Sequence, residues 1–199
     1  MTTHQEALND YGNRAKHLVR PLLIFLATIW LIEIFDQLLF GGSLDQFGIV
    51  PRQSVGLRGI LLAPLLHVGF DHLLANSIPF LVLGLMIMLR HGSQMGLISA
   101  IIVLISGLGT WLFAPSYTVT IGSSGLVFGY LAFLVVNAWY ERSVGAILFA
   151  IIVIVVYGGL IWGILPAGNG ISWQSHFFGM LGGVIAARYL SAPNLMNRD

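Results

Sequence analysis

The sequence predicts an all-α membrane protein, a bundle of six transmembrane helices with a long interfacial first loop. Three observations predict it. Hydrophobic residues make up 57% of the 199 and charged residues only 9%, with a mean hydropathy of +0.88, well outside the soluble globular range. Six apolar runs are each long enough to cross a hydrocarbon core of about 30 Å. Lysine and arginine gather at alternate connections between those runs, as they do where loops alternate between the two sides of a membrane.

The first twenty residues are polar and mixed in charge, with no basic stretch leading into a short apolar one and a small-residue cleavage site, so no cleavable signal peptide is expected. The first run extends from Pro21 to Phe40. Glu33 and Asp36 approach its outer end and are placed at the interface. The loop from Gly41 to Asp71 is too apolar for free water and too broken by proline and glycine to span; short amphipathic pieces lying in the outer interface satisfy both solvents. The second run is His72 to Arg90, the third Gly96 to Ala114 and the fourth Ser124 to Tyr140. The fifth, Gly145 to Ile164, is rich in isoleucine and valine and suits lipid exposure. The sixth, Gln174 to Leu190, precedes a polar tail at 191–199, so residues 21–190 form one domain between two short terminal segments. His4, His17 and His91 lie near polar ends and are expected to be solvated.

Arg14, Lys16 and Arg20 precede the first run, Arg90 and Arg142 occupy the second and fourth connections, and Arg188 and Arg198 follow the last. Only Arg52 and Arg58 fall on the other side, which places both termini in the cytoplasm. A net charge of +1 points to no nucleic-acid partner. The absence of cysteine excludes disulfides, thiolate catalysis and cysteine-ligated metal centres. No His-Glu-x-x-His string or pair of transmembrane aspartates is present, and no metal or cofactor is expected.

Polar residues at membrane depth cost a few kcal/mol unless they face a bundle interior or a water-filled cavity, and four stand out: His72, Asn76, Ser124 and His176. Counted from basic or aromatic anchors at the cytoplasmic ends, Asn76, Ser124 and His176 lie about 21, 22 and 18 Å up at 1.5 Å per residue. His72 is one turn above Asn76 on the same face, so all four can converge on one cavity open to the outer side. A serine, a histidine and further hydrogen-bond donors at one level are the parts of an acyl-transfer site. Gly122 and Gly125 flank Ser124 where the chain enters a helix, allowing a tight turn and close approach of a substrate backbone. Gly125 with Gly129, and Gly179 with Gly183, have the small-xxx-small spacing that lets membrane helices pack closely and would draw Ser124 toward His176.

These residues fall in three motifs: "GSSGLVFG" at 122–129, "HVGFDHLLAN" at 67–76 and "HFFGMLGG" at 176–183. With them the chain resembles the rhomboid intramembrane serine proteases, over a core from about Pro21 to Leu190. The resemblance implies Ser124 as nucleophile, His176 as general base, and His72, Asn76 and the Ser124 amide as oxyanion hole. It also implies that His67 orders the first loop and that Phe128 packs on the catalytic histidine, doing the orienting that an aspartate does elsewhere. Two positions depart from the family pattern: Leu57-Arg58 replaces a tryptophan-arginine pair, and Ser175 replaces alanine. The implied substrates are transmembrane helices of other proteins, unwound locally at a small residue, entering laterally near the fifth run from the lipid bilayer. The implied setting is a bacterial cytoplasmic membrane. Two other classes have the same gross features: a catalytically dead relative that binds membrane helices, and a small transporter. Ser124 together with His176 disfavours the first, and the absence of a repeated half with broken helices disfavours the second.

Overall fold

The computed structural model describes residues 4–166 and 170–191, with side chains from residue 19 to 190. The side chains of His4 and His17, and the tail from 192, lie outside the described residues. Helix α1 runs His4–Phe35, α2 Gly59–Leu62, α3 Gly69–His91, α4 Met95–Phe113, α5 Ser124–Glu141, α6 Val144–Tyr157 and α7 Trp173–Ser191. An isolated antiparallel bridge between Ile49 and Thr120 is the one trace of β pairing among the described residues. Three helical stretches have the length and composition to cross a membrane: Val19–Phe40, Gly69–Phe113 and Val144–Ile164. The second comprises two antiparallel-capable helices, because a 3-10 turn at Gly92–Gln94 divides α3 from α4.

Helix α5 is the centre of the bundle. It is buried on every side from Gly125 to Leu134, a pattern expected of a helix surrounded by others rather than by lipid on one face. Helices α4 and α7 pack against each other and α7 against α5, while α1 packs chiefly on α3. Phe80, Ile98, Ile102, Tyr130 and Phe133 fill the space between α3, α4 and α5. The Tyr130 hydroxyl lies 2.8 Å from Ser99 Oγ, which itself donates to Met95 O, so a buried phenol is satisfied. The packing of α5 on α7 is a backbone contact. A β-carbon at Gly179 would collide with Gly125 O, and one at Gly183 with Gly129 O.

Glu33 and Asp36, near the end of the first apolar stretch, are both buried within the protein, at 1% exposure. The reason lies beyond Phe35, where the helix widens into a π-turn at Asp36–Phe40 and stops at Gly41 and Gly42, both with positive φ. The returning chain then reaches Asp36, where Leu44 N donates to Oδ1, while Gln37 within the π-turn donates from Nε2 to Glu33 Oε1. His91 corrects the expectation drawn from the sequence. It is half-buried with its ring edge-on to Phe133, because α5 packs alongside the end of α3.

The first loop is a chain of short turns, at Ser43–Phe47, Ser54–Arg58, Gly59–Leu62 and Ala63–Leu65. Arg52 fixes it to the end of α4: its guanidinium donates to Leu112 O and Ala114 O, each at 2.8 Å. Trp111 Nε1 donates in return to Gln53 O at 2.9 Å. Arg58 lies 4.4 Å over the Phe47 ring, so the departure at Leu57-Arg58 leaves the arginine stacked on an aromatic from elsewhere in the loop.

Asp45 in this loop has a buried Oδ1 without a hydrogen-bond partner. Burial first, then the nearby Asp36 and Glu33 carboxylates, push its pKa up from 3.8 to about 6. The folded protein therefore holds this proton to a higher pH than the unfolded chain, and the associated stability, full below about 4, is lost as pH rises through about 6. Thermal unfolding followed from pH 4 to 7 should show a decline in wild type that is shallower in Asp45→Asn. An equally steep decline in that variant would assign it to other groups.

Candidate active site

Ser124 is the first residue of α5, and Ser123 before it is fully buried. The turn into the helix needs Gly122, whose φ of 111° is open only to glycine. A methyl group there would also sit 2.8 Å from His72 Cε1. Gly122 N donates to Ala63 O at 2.8 Å, which ties this turn to the first loop. The start of α5 leaves its first amides without intrahelical acceptors, next to the Ser124 hydroxyl.

His176 sits in the first turn of α7. Its Nε2 is 2.8 Å from Ser124 Oγ, and its Nδ1 is 2.9 Å from the carbonyl oxygen of Gly163. A carbonyl only accepts, so the neutral ring carries its proton on Nδ1 and presents a lone pair on Nε2 to the serine hydroxyl. Phe128, one turn into α5, lies parallel to the imidazole, with ring centroids 4.0 Å apart and an interplanar angle of 7°. The imidazole is thus held at both its face and its far nitrogen.

The other predicted residues fall close by, with one distinction. His72 lines the same cavity as Ser124 and His176, a space of about 630 Å³ whose rim includes Thr118, Trp173 and Gln174. A long bond of 3.4 Å from Val68 N to His72 Nδ1 leaves the proton on Nε2, on the side of Gly122. Asn76 is the more deeply buried, with its Nδ2 beside the same Gly122 turn; its amide donates 3.0 Å back to His72 O. His67 is buried in the loop, where burial and then the His72 ring push its pKa down to about 3 and keep it neutral. Its Nε2 receives Ser123 N–H at 3.3 Å and lies 3.2 Å from Ser123 Oγ. Gly125, Gly129, Gly179 and Gly183 line the contact of α5 with its neighbours: Gly129 faces Ile102, and Gly125 faces Ser106 and Ser175. Ser106 Oγ donates 2.9 Å to Ser175 O, fastening α4 to the turn that carries His176.

Sequence reasoning missed three participants in this geometry. The Gly163 carbonyl has no side-chain signature at all. Ser123 was visible only as the neighbour of Ser124, and its link to His67 spans 56 positions. Ser106 is a serine within an apolar run, and that polar residue at membrane depth is its signal in the sequence.

A family model described as the Rhomboid domain matches residues 55–193 of this chain. Among curated proteins, an uncharacterized protein of Mycobacterium tuberculosis and one of Mycobacterium bovis are each 44% identical to it over 180 residues, covering 86% of this chain and 75% of theirs. An uncharacterized protein of Mycobacterium leprae is 41% identical over 187 residues, covering 89% of this chain and 73% of its own.

Proposed function

Because this chain belongs to the rhomboid family of integral membrane serine proteases, we propose that it cleaves transmembrane helices of other proteins with a Ser124–His176 dyad. The observation that carries the proposal is the 2.8 Å contact of Ser124 Oγ with an imidazole nitrogen whose lone pair is free to accept the proton. In the proposed reaction Ser124 Oγ bonds to the scissile carbonyl carbon as its proton passes to His176 Nε2. His176 then protonates the leaving amine as the carbon–nitrogen bond breaks. Water, activated by the same nitrogen, hydrolyses the ester and restores the serine. His72 Nε2–H and the amides at the start of α5 are the donors for the developing oxyanion, with Asn76 supporting His72 from behind. Asn76→Ala should accordingly lower turnover more than it raises KM, through a shifted His72. An unchanged kcat would remove Asn76 from this network.

The proposal includes six spans, formed by α1, α3, α4, α5, α6 and α7, with both termini in the cytoplasm of a bacterial cell. Ser124 then lies about 22 Å above the inner boundary of a core of about 30 Å. The scissile bond must reach a level about 8 Å below the outer surface. A regular substrate helix would be cut roughly five residues inside its outer end, and a locally unwound one two or three. Mass spectrometry of both fragments of a reconstituted substrate of known orientation tests this. Cuts consistently in the cytoplasmic half would defeat the orientation, and no cutting of any transmembrane substrate by wild type would defeat the function.

A further inference from the structure

Helix α6 leads into a 3-10 segment, Gly158–Ile164, whose end touches the catalytic histidine. Gly163 fits there because it lacks a side chain: a β-carbon would lie 2.8 Å from Phe128 Cζ and 3.1 Å from His176 Nδ1. Its carbonyl is the partner of His176 Nδ1, at 2.9 Å. Most of α6 faces outward, with Ile147, Ile151, Val155 and Val156 about half exposed or more, and only Ala146, Ala150 and Val153 buried against the bundle. The group that fixes the imidazole tautomer is therefore carried by an element that meets the bundle along one face only, through Ala146, Ala150 and Val153 with Phe149, Tyr157 and Leu160.

We propose that Gly163 is a positioning residue whose carbonyl sets the His176 tautomer, so that seating of the Gly158–Ile164 segment against α7 switches Ser124 into its reactive state. This rests on the dyad proposed above. With the segment in place, Nδ1 holds the proton and Nε2 is ready to accept one. With the segment displaced, Nδ1 has no acceptor, the neutral ring distributes its proton over both nitrogens, and the Nε2–H form is unable to take the proton of Ser124. Phe128 keeps the plane of the ring in either state, since stacking does not distinguish the two nitrogens. The carbonyl and the ring thus have separate tasks.

A pair of glycine substitutions within this one segment separates the role from general packing. Gly163→Ala places a methyl group against His176 and Phe128, whereas at Gly159 nothing lies within 4 Å of an added β-carbon. In Gly163→Ala, the rate of Ser124 labelling by a small fluorophosphonate and the kcat on a transmembrane substrate should each fall about two- to fivefold, the factor by which the Nδ1–H population drops, with KM unchanged. Gly159→Ala should match wild type in all three. Nitrogen-15 spectra of histidine-labelled protein should place the His176 proton on Nδ1 in wild type and Gly159→Ala, and on both nitrogens in Gly163→Ala. Wild-type labelling, kcat and an Nδ1–H tautomer in Gly163→Ala would overturn the inference while leaving the dyad intact. Full activity in Ser124→Ala would instead overturn the dyad. If Gly163→Ala fails to fold, the wild-type spectrum decides alone, since an Nε2–H tautomer in the resting protein contradicts the role.

Discussion

Purified Ser124→Ala and His176→Ala proteins should cut no transmembrane substrate, their kcat falling by at least about 10⁴-fold, while unfolding within a few degrees of wild type. The loss follows from the geometry, because each variant removes one end of the single 2.8 Å contact through which a proton can leave the serine. The small effect on folding has a separate cause. Both side chains border a cavity of about 630 Å³, where water can take the place of a lost hydrogen-bond partner. Ser123→Ala is the control. Its hydroxyl is fully buried against His67, but the backbone N–H of the same residue also donates to His67 Nε2, so one of the two links survives. Active Ser124→Ala with inactive Ser123→Ala would show that the nucleophile has been misassigned.

The second large effect concerns the contact of α5 with α7. Gly183→Val should destabilise the protein by about 3 kcal/mol, lowering Tm by about 6 to 12 °C, and remove activity with it. The added carbons meet Gly129 O and the Phe133 amide, which are backbone atoms inside the most buried helix of the bundle and unable to rotate aside. The helices must separate, and Ser124 and His176 sit on opposite sides of that seam. Gly96→Val provides the comparison, since nothing lies within 4 Å of a β-carbon there. Thermal unfolding in detergent measures both. An unchanged Tm in Gly183→Val would mean that the glycines do not set the separation of the two helices.

What could be seen in the sequence, and what could not, divides along a physical line. A buried polar residue in lipid is conspicuous because its cost is large, which is why Ser124, His176, His72 and Asn76 stood out of their apolar background. Glycines four apart announced the α5–α7 seam, because close approach is what the absence of a side chain permits. The start of α5 at Ser124 was legible from Gly122 and the apolar run that follows. The cover over Asp36 depends on the chain folding back from Gly42 to Leu44, a path that helical periodicity does not encode. Arg52 reads in the sequence only as a charge, because its guanidinium donates to carbonyls some sixty positions away. Gly163 was beyond reach for the same reason in its strongest form. Its contribution is a backbone carbonyl, which every residue possesses.

In the topology proposed above, the 3-10 winding at the end of α6 sets how long that element is relative to the bilayer. Fourteen α-helical residues rising about 1.5 Å each and seven 3-10 residues rising about 2.0 Å each give a length of about 35 Å, against a core of about 30 Å. An apolar rod longer than the layer around it tilts, or gathers longer lipid chains about itself, at a cost of fractions of a kcal/mol per ångström. Returning the seven residues to α-helical rise would shorten the rod by about 3.5 Å and withdraw Gly163 from the level of His176. In the proposed topology a thin bilayer would favour the shorter winding.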